Sequence, residues 1–178
     1  MSQFEFLTVA FSVLLAVTVT RLAEGMIVEL RSEKRYWVHL LWILQSLFSA
    51  AGIWWALWGF ENVEWSYLIF LLVLGGPTLL FTQAVALVPR NIDDIDWQAL
   101  YYHNARFFML VSAVSSFYML ELAVFVDFVP TSVQLALGAL GIGYIAMAFV
   151  SNPKAHKIFV LACLFLAATV IAPSLGRM

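Results

Sequence analysis

Six long apolar runs, with every second connection between them basic, constrain this chain more than any other feature. They cover residues 4–27, 36–58, 65–88, 107–126, 133–150 and 156–173. Each is near the roughly 20 helical residues that cross a hydrocarbon core of about 30 Å. The runs are continuously apolar rather than alternating at every second residue, which predicts helices and not a transmembrane barrel. The fold class that follows is all-α, an integral membrane protein with six transmembrane helices.

Charge then orients the helices. Arg21, Arg31, Lys34, Arg35, Arg90, Arg106, Lys154 and Lys157 lie at or between the ends of runs one and two, three and four, and five and six. Only Arg177 belongs to the opposite side, whose connections carry Glu61, Glu64 and Asp127. The excess of Lys and Arg on cytoplasmic loops predicts both termini outside and the three basic connections inside.

With 63% hydrophobic and 11% charged residues in 178, no separate soluble domain fits, so residues 1–178 read as one transmembrane domain. A net charge of -2 gives no attraction to nucleic acid. The one cysteine, Cys163, lies inside the sixth run, which excludes an internal disulfide and a cysteine metal cage. The first run is long, has no basic residues before it and carries Arg21 at its far end, so it reads as a retained span rather than a signal peptide.

Local signals refine this picture. Thr8, Ser12, Ala16 and Thr20 recur every four residues, a strip of small side chains that permits close helix approach and predicts self-association. In run two, positions 39, 42, 46, 49 and 53 share one face, which should point into the bundle. Gly75-Gly76-Pro77 predicts a kink in the third helix. The stretch 91–105 is amphipathic and cytoplasmic, with Asp93 or Asp94 as helix cap and Ile95, Leu100, Tyr101 and Tyr102 against the membrane surface. It is expected to run directly into the fourth helix.

The candidate functional residues fall in two groups. At the basic side, Arg21 and Glu24 are three apart and positioned to pair on one helix face, while His39, His103, Arg106 and His156 open helices two, four and six. Three readings stay open for this group. Its cations snorkel to lipid phosphates, its histidines ligate a metal or haem, or the set forms the inner gate of a pathway. Away from that side, Glu121 is a carboxylate within a span, and Gln45, Ser46 and Ser49 on helix two and Ser112, Ser115 and Ser116 on helix four form polar stripes. These line a permeation path or bond helix to helix. No nucleophile–base order, metal motif or phosphate loop is recognisable, so no catalytic activity and no cofactor are expected.

The run Val17-Thr18-Val19-Thr20-Arg21-Leu22 with Gly25, the Trp54-Trp55 pair, and Val88-Pro89 before an acidic stretch together resemble a group of small uncharacterised bacterial multi-pass membrane proteins. The resemblance covers about the first two thirds of the chain. It implies a bacterial inner-membrane location with lipids as neighbours, and carries no activity with it. The sequence is thus expected to encode a small homo-oligomeric channel or transporter-like protein. The alternatives are a non-catalytic partner subunit of another membrane protein and a haem-binding redox protein.

Overall fold

The computed structural model describes residues 3–61, 63–91, 95–126 and 130–171. They form six helices: α1 (Gln3–Arg31), α2 (Trp37–Ala56), α3 (Tyr67–Leu87), α4 (Trp97–Val126), α5 (Thr131–Met147) and α6 (Pro153–Leu166). A 3-10 turn, Leu57–Phe60, extends α2, and a π turn, Ala167–Ile171, extends α6. Among the described residues there is no strand.

Four helices, α1 to α4, are long and apolar enough to cross a membrane. The last two are shorter than the apolar runs they overlap, and each begins before its run does. At 1.5 Å per residue the 17 residues of α5 reach about 26 Å and the 14 of α6 about 21 Å, with the π turn carrying α6 further. Proline sets where they begin. Pro130 precedes α5, and Pro153 takes the first position of α6, three residues before the sixth apolar run. An all-helical chain with four such helices fits a membrane protein.

Side-chain caps place the other boundaries. Ser66 Oγ accepts from the Ile69 N–H at the start of α3, and Asn152 Oδ1 accepts from the Lys154 N–H at the start of α6. At α4 the cap is Asp96, whose Oδ1 accepts from the Ala99 N–H at 3.0 Å. The expected caps Asp93 and Asp94 lie outside the described residues. Helix α3 runs unbroken through Pro77 and stops at Leu87, because Pro89 forces Val88 into an extended conformation (φ -115°, ψ 111°).

The buried face of α1 follows a three-and-four spacing: Leu7, Phe11, Leu15, Thr18, Leu22, Gly25 and Glu29. Beside it, Thr8 and Ser12 are half-buried, with hydroxyls turned back onto the Phe4 and Thr8 carbonyls, while Ala16 and Thr20 are exposed. On α2 the face carrying His39, Trp42, Ser46 and Ile53 is buried. Direct contacts gather the ends of α1, α3 and α5 with the beginnings of α2, α4 and α6 at one end of the molecule. Arg21, Arg31, Lys34, Arg35, Arg90, Arg106, Lys154 and Lys157 are placed toward this basic end.

Gly25 is needed where α1 meets the end of α3. A Cβ there would fall 2.8 Å from Val88 Cγ1, inside any real van der Waals contact. Gly25→Ala is therefore expected to cost about 1–3 kcal/mol through overpacking. Truncating the obstacle, in Gly25→Ala/Val88→Ala, should recover part of that loss. Thermal unfolding of the two single variants and the double variant checks this coupling.

Candidate functional site

The last carbonyls of a helix have no partner within it. With Pro89 blocking continuation, three successive carbonyls at the end of α3 turn instead to three other helices. Ala86 O accepts from Asn104 Nδ2–H of α4 at 3.0 Å. Leu87 O accepts from His39 Nε2–H of α2 at 3.0 Å. Val88 O accepts from both Nε–H and Nη2–H of Arg21 of α1, at 2.9 and 2.6 Å. The guanidinium also places positive charge at the negative end of the α3 dipole.

This corrects the expected Arg21–Glu24 pair. Arg21 is drawn across the bundle to Val88, and Glu24 is exposed with no ion pair to Arg21 among the described residues. The carboxylate that matters is Glu29, fully buried. Its Oε1 accepts from the Tyr36 N–H at 3.0 Å, and its Oε2 lies 2.6 Å from His39 Nδ1. Because the Leu87 carbonyl can only accept, His39 Nε2 must carry a hydrogen. One further proton then lies between Nδ1 and Oε2, held by either group. In both arrangements the buried pair is neutral overall, which is how two ionisable groups stay buried without a large desolvation penalty.

A second chain of hydrogen bonds runs through Tyr101. His156 Nε2 faces the Val150 carbonyl at 2.8 Å and so must donate. A neutral imidazole then has Nδ1 free to accept, and Tyr101 Oη–H donates to it at 2.7 Å. Tyr101 Oη in turn accepts from Trp42 Nε1–H at 3.0 Å. The rings interlock as well: His39 packs on Trp97 and Tyr101, and Tyr101 and Tyr102 both meet His156 edge-on. Tyr36 and Tyr102 share a hydrogen bond between their hydroxyls at 2.8 Å. Tyr101 is therefore buried inside the bundle, which corrects its expected place on the membrane surface.

Two of the three histidines thus converge on Tyr101, and the third does not. His103 is exposed, on the other face of α4. Arg106 is exposed too, its guanidinium 5.0 Å from the Phe149 ring centre. Both nitrogens of His39 and of His156 are bonded to protein groups, so neither imidazole offers a lone pair to a haem iron.

Beyond this layer lies a cavity of about 560 Å³. Phe108 and Tyr144 line its inner end, with Trp42 packed against them, edge-on to the first and tilted to the second, at 5.3 and 5.8 Å between ring centres. Its polar wall is built from the stripes of α2 and α4 (Gln45, Ser46 and Ser49; Ser112, Ser115 and Ser116), with Gln83 of α3 added. Ser46 and Ser49 turn their hydroxyls back to the Trp42 and Gln45 carbonyls. Gln45 Oε1 and Ser112 Oγ, by contrast, are buried with no hydrogen-bond partner. Glu121 is exposed and does not line the cavity.

Glu29, Tyr36, Trp97, Tyr101 and Gln83 were not singled out as site residues by the sequence. For Glu29 the signal existed, since it continues the buried spacing of Leu22 and Gly25. No protein-family model matches the chain, and no curated protein or solved structure gives a significant match.

Proposed function

We propose that this chain is a transporter-like protein of the bacterial inner membrane that takes a solute into the cavity between α2, α4 and α5. In this proposal six helices span, both termini lie outside, and the basic end is cytoplasmic and closed. The observation that carries the reading is a contrast. The cavity, about 560 Å³ and mostly apolar, has Gln45, Ser49, Gln83, Ser112 and Ser115 in its wall, whereas the layer beneath is closed by bonds among Glu29, His39, Trp42, Tyr101 and His156 and to the backbone. A roomy apolar cavity with a few polar side chains in its wall favours a ligand there. A paired, aromatic-floored layer favours a gate over an open pore.

A carrier rather than a continuous channel follows, because the rings of Trp42, Phe108, Tyr144 and Phe159 pack edge-on or tilted against one another across the way inward. Homo-oligomerisation belongs to the same proposal, supported by the exposed small side chains Ala16 and Thr20 on α1. The rival reading, a static partner subunit, draws on the same full pairing at the basic end.

Labelling decides between them. Ala105 is buried in the gate layer, while His103 is exposed. In a Cys163→Ala background, Ala105→Cys is expected to react slowly with a membrane-impermeant maleimide from the basic side, and His103→Cys rapidly. Tyr101→Phe should accelerate the slow reaction. An Ala105→Cys that stays unlabelled for hours, with or without Tyr101→Phe, points to the static subunit.

A further inference from the structure

Small side chains on two facing helices make the cavity. On α2, Gln45, Ser49, Gly52, Ala56 and Phe60 follow one another at three- and four-residue steps, and all of them line it. Ser112, Ser116 and Ala123 line it from α4. What these residues offer a guest is chiefly hydrocarbon. Ser46 and Ser49 donate their hydroxyls to carbonyls of their own helix. Gln45 Oε1 and Ser112 Oγ are covered by protein and do not reach the cavity space. Among the lining residues there is no Asp, Glu, Lys, Arg or His, so an ionic group inside would lack a counter-charge. Water fits poorly as well, since each buried molecule needs about 2–4 polar partners.

Shape and access narrow the guest further. The volume of about 560 Å³ lies in the range of small-molecule sites, about 300–1,000 Å³. From position 45 to 60 the lining follows α2 for about 22 Å, which suits an extended chain better than a compact solute. Phe48, Ala51 and Trp55 line the cavity and are exposed on the outside as well, as is Ala168 in the π turn after α6. The cavity therefore opens sideways onto apolar surface, where a bilayer presents the hydrocarbon of its own phospholipids.

We infer that the cavity holds one acyl chain of a bilayer phospholipid, which enters through this lateral opening and lies along α2 while its headgroup stays outside. This names the substrate class of the site invoked above and to that extent rests on the transporter reading. Occupancy and gate opening are separate measurements, so either can fail alone. A chain bound beneath a gate that never opens removes transport and leaves the lipid site. A moving gate beside an empty cavity does the reverse.

Photo-crosslinking of the whole protein in liposomes tests it, the probe being phosphatidylcholine with a diazirine at the end of one acyl chain. Leu135 and Ile142, exposed and outside the cavity, should be labelled in every variant. In wild type the buried wall residues Leu122, Ala123 and Leu140 should be labelled as well. Gly52→Phe fills the middle of the space and should bring this interior labelling to background. Ala51→Trp, at an exposed position of the opening, leaves the core packing alone and should lower it too. Surface labels alone in wild type, or interior labels that persist in both variants, would overturn the inference. Interior labelling by diazirine-bearing palmitate but not by the phospholipid would make the guest a free acid and overturn it equally. So would rapid oxidation of Met119, another wall residue, by hydroxyl radicals, because that means water in the cavity.

Discussion

Glu29→Ala collapses the basic end of the bundle, whereas Glu29→Gln leaves it folded. Alanine orphans the Tyr36 N–H and His39 Nδ1, both inside the protein, and opens a void beside them. Two orphaned buried groups at about 1–3 kcal/mol each set the expected loss at about 2–6 kcal/mol. Glutamine instead reproduces the bonding. Its carbonyl oxygen accepts from Tyr36 N–H, and its amide donates to the Nδ1 of a neutral His39 that still donates from Nε2 to Leu87 O. What the Glu29→Gln variant lacks is the movable proton. Thermal unfolding in detergent should therefore separate the variants widely. Equal loss in both would mean that the site requires the carboxylate charge itself.

Tyr101→Phe is expected to produce the second-largest effect, although it deletes a single heavy atom. That oxygen accepts from Trp42 and donates to His156, so both partners are orphaned at once. Interhelical hydrogen bonds in membrane proteins average about 0.6 kcal/mol and reach about 1.7, which sets the loss of two at about 1–3 kcal/mol. Tyr102→Phe removes only the half-buried bond to Tyr36 and should cost less than half as much. Unfolding of the two variants side by side checks the order. If Tyr102→Phe is the more damaging, the chain through Tyr101 is not what joins α2, α4 and α6.

Much of the helical framework was legible because its determinants are local. Apolar runs mark α1 to α4, and Pro89, Pro130 and Pro153 mark their neighbours' limits whatever the tertiary fold. The stripes of α2 and α4 were legible as well, since helical periodicity alone puts Gln45 and Ser49 on one face and Ser112 and Ser115 on another. The basic-end layer was not. Spacing within one helix suggests Glu24 for Arg21, but the carbonyl that captures Arg21 lies 67 residues away, at a helix end whose orphaned acceptors outcompete an exposed carboxylate. Likewise, depth alone could not separate His103 from His39 and His156. The face of α4 that turns inward carries Tyr101, Ala105 and Phe108, and this leaves 103 and 106 outside.

Whether the paired layer is one of two states decides between a carrier and a static subunit. Spin labels at Leu30 of α1 and Ser151 between α5 and α6, both exposed at the basic end, report the separation of its two sides by pulsed electron–electron double resonance in nanodiscs. A loss of about 1.4 kcal/mol from the closed state raises the open-to-closed ratio tenfold, so Tyr101→Phe should bring an open minority into view. The expected result is a second, longer distance whose weight grows in that variant. A single distance, unmoved by Tyr101→Phe, would contradict the two-state gate and leave a static subunit.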